Sequence, residues 1–572
     1  MQRVDVAIIG GGLAGLTLAL QLRRELPQAS VLVVERHAHP VPEAAFKVGE
    51  STAELGAHYL RDVLGLAEHL KTRQIVKLGL RFFFTAGDNS DIARRVELGL
   101  STHLSASTYQ LDRGRLENAL ADLVRQHGVD LVDGGKVEDV EISRDGHTLA
   151  IVQDGSQRKV EARWLIDASG RPGMIKRRLG LARRVDHQPS AAWFRIAVEI
   201  DPDAWSTAPE WRARVKPGLR RTSTVHLMGR GYWLWLIPLA SGSTSIGLVA
   251  DERFHPFDTY NTFDKLMAWL RTYEPQCGAA VEAQRENIQD FRVLRHYAYG
   301  CERVFSPDRW CLTGESGLFL DPFYSPGTDF IAIANGFIVK MVDADLRGDA
   351  KLDQLIQYYD HWMLRTFDAT LKLFADQYTL MGNAQVMSVK AVWDFLRYWG
   401  SIAMLTIQRK HVDLAFTRRI AQDFYRLAKL DERVQAFFRE WDELDDADWE
   451  PAFLDYKSVP YVEALNKMLA TSLSEAEVER AIDENADLCE QVATAIMARA
   501  LNRCRLAPPG GKIDPYTLSL HDCEPAHEDA MAPDPAVQAA LAPIWLEARG
   551  APATALVESD APRLTVGETC AT

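Results

Sequence analysis

The chain has 572 residues, of which 47% are hydrophobic and 25% are charged, and its formal net charge is −14. This length predicts two or three structural units with a large apolar core. The acidic balance argues against a general nucleic-acid binder, because phosphate binding requires concentrated Lys and Arg. Seven dispersed cysteines without a C-x-x-C pair predict reduced thiols and no metal site. With neither a signal peptide nor a long apolar segment, we expect a cytoplasmic protein without a transmembrane segment.

The first elements in chain order predict a βαβ unit. An apolar strand over residues 4–9 precedes a Gly-x-Gly-x-x-Gly motif, which is followed by a helix and by a second strand ending at Glu35. Such glycines permit a tight turn and let the backbone approach a pyrophosphate at the helix N-terminus, while Glu35 can accept from ribose hydroxyls. This context favours a dinucleotide site over a chance Gly-rich turn. The predicted contacts are Gly10, Gly12, Leu13, Ala14, Gly15 and Glu35.

Three later segments favour FAD over NAD. They are Tyr109–Arg113 before an amphipathic helix, Asp167–Gly170 at a strand end, and Gly314-Glu315. In this order they resemble the flavin-contact segments of the aromatic-hydroxylase and halogenase superfamily. Arg113 could hold the pyrophosphate region, although a solvated arginine and ordinary turns explain each segment taken alone. The superfamily usually has Asp where this chain has Glu315. The predicted contacts are Arg113, Asp167, Gly170, Gly314 and Glu315.

The remaining pattern divides the chain into three parts. Residues 1–345 predict a flavin module, with a strand-rich stretch at about 190–300 that predicts an interleaved substrate sheet. Residues 346–505 are helical and are expected to shape a substrate cleft, although their aromatics could instead be helix core. Residues 506–572 form a Pro/Gly-rich extension, where Pro543 makes a helix at 536–548 doubtful. The expected fold is α/β: a GR2-type FAD-binding Rossmann-like domain, a β-sheet substrate domain and a C-terminal helical region.

Four further segments together resemble the flavin-dependent halogenases, over about residues 1–345 and more loosely beyond. They are the loop at 47–52 that covers the flavin, the run around Lys77 that bears the catalytic lysine, the tryptophan motif at 233–238 and the halide loop at 321–327. The resemblance assigns Lys77 to catalysis. It assigns to the flavin Val48, Gly49, Glu50, Ser51 and Gly327. It assigns Gly327 and Thr328 to halide binding. The residues that it assigns to the tunnel between flavin and substrate and to the family's signature motifs are Trp233, Trp235, Ile237, Pro238, Pro322 and Ser325.

The resemblance also implies a chemistry. In the family, reduced FAD reacts with O2 to give a C4a-hydroperoxide, which halide attacks to yield hypohalous acid. A lysine ammonium can hydrogen-bond this oxidant or capture it as a haloamine, and burial lowers a lysine pKa toward reactivity. The tryptophan pair would wall off the route from flavin to substrate. The alternatives are that Lys77 is an edge residue that snorkels to water, and that the tryptophans are core.

Two positions of the halide loop depart from the halogenase pattern. Tyr324 stands where tryptophan halogenases carry a glutamate, so the carboxylate expected for indole substrates is missing. Phenol- and pyrrole-directed members also lack it, which favours an activated phenolic or similar aromatic substrate. Pro326 stands where the family's Thr donates a backbone N–H to halide, and proline has no N–H. The halide would then rely on Gly327 and Thr328, at a shifted or weaker site that favours bromide or iodide.

The predicted function is FADH2- and O2-dependent halogenation, with chloride or bromide, of an electron-rich aromatic substrate that is free or carrier-bound. The sequence has no second nucleotide fingerprint, so a separate NAD(P)H-dependent flavin reductase is the expected partner. Two alternatives stay open. One is a flavin monooxygenase or reductase of the same fold that does not halogenate. The other is a flavin-binding accessory protein without turnover, because a motif match is a hypothesis until its geometry is known.

Overall fold

The computed structural model describes residues 1–44, 47–526 and 534–547. In these ranges the strands are β1 (Gln2–Ile9), β2 (Val31–Glu35), β3 (Ile75–Lys77), β4 (Leu80–Phe84), β5 (Glu97–Gly99), β6 (Thr108–Gln110), β7 (Asp130–Asp133), β8 (Lys136–Glu141), β9 (His147–Gln153), β10 (Ser156–Asp167), β11 (Ala182–Arg183), β12 (Ser190–Ile196), β13 (Thr224–Gly229), β14 (Tyr232–Pro238), β15 (Thr244–Ala250), β16 (Arg292–Leu294), β17 (Gly300–Cys301), β18 (Phe305–Ser306), β19 (Trp310–Leu312), β20 (Phe453–Asp455), β21 (Leu506–Ala507) and β22 (Glu524–Pro525).

The α-helices of the same ranges are α1 (Leu13–Glu25), α2 (Glu54–His58), α3 (Ala67–Arg73), α4 (Arg113–Gln126), α5 (Met174–Arg178), α6 (Pro209–Ala213), α7 (Phe263–Tyr273), α8 (Pro275–Glu282), α9 (Gly327–Leu346), α10 (Leu352–Leu371), α11 (Ala384–Tyr398), α12 (Met404–Ile407), α13 (Leu414–Arg419), α14 (Ala421–Leu444), α15 (Pro460–Leu469), α16 (Glu475–Cys504) and α17 (Pro535–Leu541). No helix of the described ranges is both long and apolar enough to cross a membrane.

The first sheet contains the βαβ unit that the glycine motif predicts. Strands β19, β10, β1, β2 and β7 run parallel in that order, and β18 pairs antiparallel with β19 at one edge. The apolar strand β1 is buried along most of its length, and α1 packs against α4 and α9. This is the α/β, Rossmann-like arrangement expected from the sequence. Its parallel strands bring the carboxyl ends of β1, β2, β10 and β19 to one edge.

The second sheet has the strand order β16-β12-β15-β14-β13-β4-β5-β20 and is mostly antiparallel, with parallel pairs at β13–β4 and β5–β20. It therefore combines strands from residues 80–99, 190–294 and 453–455. Strands β12, β14 and β15 are buried on both faces. Along β14, Trp233 and Trp235 join the main core, whereas Leu234 and Leu236 join a second core beneath α7 and α8.

In the helical region, α10 packs against β18 of the first sheet, and the 3-10 turn Tyr378–Gly382 packs against β13 and β14 of the second sheet. Helix α11 continues into a π-helical turn at Trp399–Ala403, and α16 begins with a capping box between Ser474 and Glu477. In the C-terminal extension, α17 ends at Leu541 and Pro543 lies in the 3-10 turn Ala542–Ile544, which agrees with proline ending a helix. The parts of that extension at 527–533 and 548–572 lie outside the described residues.

Candidate active site

Four strand ends meet at the carboxyl edge of the first sheet. β1 ends before Gly10, β2 ends at Glu35, β10 ends at Asp167 and β19 ends before Gly314. Because the strands are parallel, the segments that follow them lie side by side, where ligands bind in sheets of this type. The sheet therefore brings together the predicted cofactor segments that the sequence separates by up to about 300 residues.

Packing requires glycine at three of these positions. Gly10 has a φ of +104°, and a Cβ on it would lie 2.4 Å from the carbonyl oxygen of Ala168. A Cβ on Gly15 would lie 1.9 Å from the carbonyl oxygen of Gly10, so α1 crosses β1 in close contact. Gly314 has a φ of +63°, and a Cβ on it would approach Ala14 to 2.9 Å. The fingerprint turn, β10 and β19 are thus fitted against one another.

The N-terminus of α1 remains accessible beside this turn. Gly12 is its N-cap and Leu13 and Ala14 are its first residues, with no acidic side chain in the first turn. The atom near a Cβ on Gly12 is Nζ of Lys47, 3.9 Å away. A helix N-terminus with an ammonium group beside it suits a phosphate group. Lys47 was not among the predicted contacts, although it stands in the segment at 47–52.

Glu35 lies against the glycine turn. Its Oε2 accepts a hydrogen bond from the backbone N–H of Gly11 at 2.6 Å, and its Oε1 accepts one from the N–H of His37 at 2.9 Å. These two bonds fix the carboxylate at the end of β2, the position at which sheets of this type bind a ribose.

Arg113 holds the segment at 47–49 next to the fingerprint. Its Nη2 bonds Oε1 of Glu117 at 2.6 Å, and its Nη1 donates to the carbonyl of Val48. Lys47 pairs with the same Glu117. Gly49 has a φ of +86°, and a Cβ on it would lie 2.8 Å from Arg113 Nη1. Two cations therefore converge where the sequence predicts the pyrophosphate.

Asp167 shapes the neighbouring turn. Its Oδ1 accepts from the N–H of Ser169 at 3.0 Å and its Oδ2 from the N–H of Ile175 at 2.8 Å, so both oxygens are engaged with backbone. Gly170, at a φ of +74°, follows in this turn, and a Cβ on it would have no neighbour within 4 Å. Asp167 thus positions the turn, and Gly170 leaves room in front of it.

Glu315 faces three cations. Burial raises the pKa of its carboxyl group, and the positive charges of Arg171, Arg113 and Lys176 oppose that rise. Glu315 has one methylene more than the Asp that the superfamily usually carries here, and its carboxyl group lies among three basic side chains.

These residues fit FAD. The open backbone at Gly12, Gly170 and Gly327 provides space, because a Cβ at these positions would meet one atom or none within 4 Å. Glu35 provides the acceptor for a ribose, and Arg113 and Lys47 provide charge for a pyrophosphate.

Lys77 is buried at the end of β3, which pairs with β6. Gly79, at a φ of +58°, separates β3 from β4, so the lysine does not lie in one continuous strand. Its Nζ donates to Oγ of Ser51 at 2.9 Å and to the carbonyl of Thr52 at 2.9 Å. Burial lowers the pKa of Lys77 to about 8. The side chain is thus held inside the protein by two acceptors and does not extend to water.

The segment that holds Lys77 is itself bound to the second sheet. Oγ of Ser51 lies 2.9 Å from Oγ1 of Thr224 in β13. Glu50 accepts from Nε of Arg195 in β12 at 2.8 Å, and Arg195 also pairs with Asp290 at 2.9 Å. Glu50 is therefore committed to an ion pair, and the predicted flavin-covering segment also provides the acceptors of the lysine.

The predicted halide loop has two consecutive residues in the left-handed region, Tyr324 at a φ of 68° and Ser325 at a φ of 64°. The N–H of Ser325 donates to the carbonyl of Pro322 at 2.9 Å, which closes the turn. The hydroxyl of Tyr324 donates to Oδ2 of Asp394 in α11 at 2.9 Å. Tyr324 thus anchors the loop to the helical region, in the position where a carboxylate was predicted to be missing.

Helix α9 begins directly after this loop. Pro326 is its N-cap, and Gly327 and Thr328 are its first two residues. Their N–H groups belong to the first turn, which has no intrahelical acceptor for them. A Cβ on Gly327 would meet no atom within 4 Å, whereas Thr328 is buried. An anion can therefore approach the helix start at Gly327, without an N–H from Pro326.

The tryptophan motif supports the loop by a chain of hydrogen bonds. Nε1 of Trp233 donates to the hydroxyl of Tyr378 at 3.0 Å, and that hydroxyl donates to Oδ2 of Asp321 at 2.6 Å. Nε1 of Trp235 donates to Oγ of Ser245 in β15 at 3.1 Å. Asp321 is the first residue of the predicted halide loop, so the motif fixes where the loop begins.

The same motif also packs against the loop. The ring centroids of Trp233 and Phe323 lie 5.2 Å apart, and those of Trp233 and Trp235 lie 5.7 Å apart. Ile237 and Pro238 end β14, opposite β15.

A cavity of about 230 Å³ lies between Lys77, the loop and the helical region. Most of its wall is apolar. The side chains of chemical interest in this wall are Glu54, Lys77, Tyr324, Asp329, Tyr398 and Trp399. The two motif tryptophans are not part of this wall. Lys77 and the predicted halide loop therefore share one cavity, whereas Trp233 and Trp235 lie outside its wall.

Two carboxyl groups of this cavity were not predicted. Asp329 follows Thr328 in α9, accepts from the N–H of Gly56 at 2.8 Å and from the hydroxyl of Tyr398 at 2.6 Å, and burial raises its pKa to about 7. Glu54 is the first residue of α2, and burial raises its pKa, opposed by Trp399 and Lys77. Their adjacency to predicted segments was the available sequence signal.

Comparison with known proteins agrees with this architecture. Residues 3–233 match the family model described as FAD binding domain. The flavin-dependent halogenase chlA of Dictyostelium discoideum is 24% identical over 457 residues, which cover 73% of each chain. A 1H-pyrrole-2-carbonyl-(peptidyl-carrier protein) brominase of Pseudoalteromonas luteoviolacea is 26% identical over 57% of this chain and 74% of its own.

Among solved structures, halogenase PltM superposes with a TM-score of 0.60 at 18% identity, over 85% of this chain and 96% of its own. The structure of the flavin-dependent halogenase CmlS superposes with a TM-score of 0.54 at 20% identity, over 86% of this chain and 79% of its own. The resemblance predicted from the four motifs is confirmed. The chain is therefore an FAD-binding enzyme with the fold of the flavin-dependent halogenases, to which its sequence is similar.

Proposed function

We propose that the chain uses FADH2, O2 and chloride or bromide to halogenate an electron-rich aromatic substrate, with Lys77 as the catalytic residue. The observation that carries the proposal is the position of Lys77. Its ammonium group is buried, held by two acceptors, and lines the same largely apolar cavity as Tyr324 and Pro326 of the halide loop.

The proposed flavin contacts are Gly10, Gly12, Leu13, Ala14, Gly15, Glu35, Val48, Gly49, Glu50, Ser51, Arg113, Asp167, Gly170, Gly314, Glu315 and Gly327, to which we add Lys47. Bound as FADH2, the cofactor supplies, with O2, the oxidising power that converts halide into hypohalous acid. Since the sequence has no second nucleotide fingerprint, we propose that a separate NAD(P)H-dependent reductase provides FADH2.

We place the halide at the start of α9. The N–H groups of Gly327 and Thr328 and the helix dipole favour an anion there. Pro326 contributes no N–H, so the site has one donor fewer than the family pattern and is expected to bind halide weakly.

Lys77 holds the oxidant at the cavity wall. Two of its three ammonium protons bond Ser51 and Thr52, which leaves one for the oxygen of hypohalous acid. Its pKa of about 8 also gives a fraction of neutral amine near pH 7.5, which can accept the halogen as a haloamine. Both routes deliver halogen beside the substrate.

The cavity surrounds the lysine with a largely apolar wall. Its apolar wall suits a flat aromatic ring, and the ammonium group of Lys77 is held by Ser51 and Thr52. The curated relatives include a brominase named for a carrier-bound pyrrole, so we propose a substrate that is either free or carrier-bound.

The proposal is tested with FAD, a flavin reductase, NADH, O2, either halide, and a panel of phenols and indoles. Mass spectrometry then detects halogen isotope pairs. We expect halogenated phenol with wild type and a loss on the order of 100-fold or more with Lys77→Ala. Lys71→Ala, which removes a lysine of α3, serves as the matched control and is expected to keep full activity.

Two outcomes would contradict the proposal. Product that is hydroxylated and never halogenated would favour a monooxygenase, the alternative that the proline at position 326 supports. Full halogenation by Lys77→Ala would exclude the role of Lys77.

A further inference from the structure

The acidic groups of the cavity differ in how they are bound. Asp394 has both oxygens engaged: Oδ2 accepts from Tyr324 and from Lys390 at 2.8 Å, and Oδ1 accepts from Gln435 at 2.8 Å. Asp329 likewise accepts at both oxygens, from Gly56 and from a tyrosine hydroxyl of α11. These carboxylates hold elements together, because each accepts hydrogen bonds from protein donors at both of its oxygens.

Glu54 is bound differently. It is the first residue of α2, two positions after Thr52, whose carbonyl accepts from Lys77. It is half-buried and lines the cavity. The indole of Trp399 faces it and favours its charged form, as does the charge of Lys77. Nε1 of Trp399 is buried without a hydrogen-bond partner in the described protein, so one hydrogen-bond donor near Glu54 has no protein acceptor.

We propose that Glu54 is a second catalytic residue, whose carboxylate accepts the proton that the substrate ring loses when halogen takes its place. The inference rests on the proposed halogenation. It follows from the shared cavity wall: one residue presents an ammonium group and the other an available carboxylate to the same apolar space.

The step balances with hypohalous acid as the oxidant. A pair of ring π electrons forms the carbon–halogen bond while the halogen–oxygen bond breaks with its electrons on oxygen. The leaving hydroxide takes a proton from the Lys77 ammonium and becomes water. The ring carbon then releases its proton to Glu54, and the C–H electron pair restores aromaticity. The sum is ArH + HOX → ArX + H2O, in which the ring is oxidised and the halogen is reduced.

The pair then returns to its starting state. After the step Lys77 is a neutral amine and Glu54 a neutral acid, and transfer of the proton from Glu54 to Lys77 restores both charges. Burial favours the forward step, because it raises the pKa of Glu54, which accepts a proton, and lowers that of Lys77, which donates one, to about 8. The attraction between the two charges favours the return, because it lowers the pKa of Glu54 and raises that of Lys77. The other ionisable groups that face Glu54 are Asp329, Tyr398 and Tyr456. Burial raises the pKa of the two tyrosines, which stay neutral, and Asp329 accepts hydrogen bonds from Gly56 and Tyr398.

The test compares ring-protiated and ring-deuterated phenol in the complete system of enzyme, FAD, reductase, O2 and bromide. With wild type we expect an isotope effect near unity, because ring attack limits the rate. In Glu54→Gln we expect kcat to fall on the order of 100-fold and a primary isotope effect to emerge, because loss of the ring proton becomes limiting. Glu54→Asp, which keeps the acid, is expected to recover part of the rate with a smaller isotope effect.

Glu68→Gln, an exposed glutamate in the first turn of α3, is the matched control and is expected to behave as wild type. A folded Glu54→Gln that halogenates at the wild-type rate overturns the inference. So does a slow Glu54→Gln or Glu54→Asp with an unchanged isotope effect, since damage to structure alone slows every step. Whether wild type forms bromophenol decides the proposed function separately, because that result does not involve Glu54.

Discussion

At the scale of single residues, the proposed catalytic role of Lys77 is opposed to the stability of the protein. Its ammonium group is buried, and burial lowers its pKa from 10.5 to about 8. A group whose pKa is lower in the folded protein than in the unfolded chain makes its charged form costly. That cost is fully present below pH 8 and disappears as the pH rises through 10.5, where both states are neutral.

We therefore expect Lys77→Met to stabilise the protein while it abolishes activity. The gain in the free energy of unfolding at pH 7 is on the order of 1 kcal/mol, since the lost bonds to Ser51 and Thr52 offset part of the relief. The melting temperature, measured at pH 7 and at pH 10, checks this. A variant that is less stable at pH 7, or equally stabilised at both values, contradicts the expected burial cost.

At the scale of elements, the break between β3 and β4 lets β3, which ends at Lys77, pair with β6, while β4 pairs with β5 and β13. Gly79 makes this break at a φ of +58°, and a Cβ there would lie 2.4 Å from the Tyr456 hydroxyl and 2.7 Å from Cδ1 of Leu100. The break thus depends on both a left-handed backbone and close packing, two requirements that glycine alone meets.

Gly79→Ala and Gly87→Ala separate these requirements. Gly87 has a nearly identical φ of +57° but no neighbour within 4 Å of a Cβ. We expect Gly87→Ala to cost about 1–2 kcal/mol of backbone strain and Gly79→Ala about 2–5 kcal/mol, because the overlap is added. Thermal unfolding measures both. Equal losses would mean that the contacts of Gly79 relax without cost.

The halide loop depends on a second element, the 3-10 turn Tyr378–Gly382. The Tyr378 hydroxyl links Trp233 to Asp321 at the start of the loop. We expect Tyr378→Phe to raise the KM for bromide several-fold with a smaller change in kcat, because the loop loses a fixed end but the lysine is untouched. Steady-state kinetics against bromide measures this.

Tyr358→Phe is the matched control, since that hydroxyl bonds Thr417 within the helical region at 2.7 Å. It should leave the KM for bromide unchanged. If both variants raise it equally, the effect does not pass through Asp321.

Local elements could be predicted from the sequence, whereas contacts between distant elements could not. The βαβ unit follows from an apolar strand, spaced glycines and Glu35, because these features act locally. The bonds of Lys77 to Ser51 and Thr52 join segments that only the three-dimensional fold brings together. Glu54 and Asp329 escaped prediction because burial, which raises the pKa of each carboxyl, cannot be read from neighbouring residues.

At the scale of the whole molecule, the second sheet contains strands from both the predicted flavin module at 1–345 and the helical region at 346–505. The helical region contributes β20 to it, beside β5, and the hydroxyl of Tyr324 reaches α11. The cavity wall likewise combines residues from 52–108 with residues from 324–456. Neither part completes the site alone.

A chain truncated after residue 345 is therefore expected not to fold, because β5 loses its edge partner and the apolar faces of α9 lose α10. Soluble yield and size-exclusion chromatography, with the full-length chain as reference, check this. A soluble, monomeric fragment 1–345 with a cooperative melting transition would show that the helical region is dispensable for folding.

The segment at 47–52 has a consequence for regulation. One end places Lys47 beside the fingerprint glycine Gly12, and the other end holds Lys77 through Ser51 and Thr52. We expect a ligand that displaces one end to displace the other, because the two ends belong to one short segment, which Arg113 of α4 and Arg195 of β12 hold at Val48 and Glu50. By thermodynamic reciprocity, the factor by which an occupied cofactor cleft changes affinity in the cavity equals the factor by which an occupied cavity changes affinity for the cofactor. The six residues at 47–52 thus connect the cofactor cleft with the cavity of Lys77.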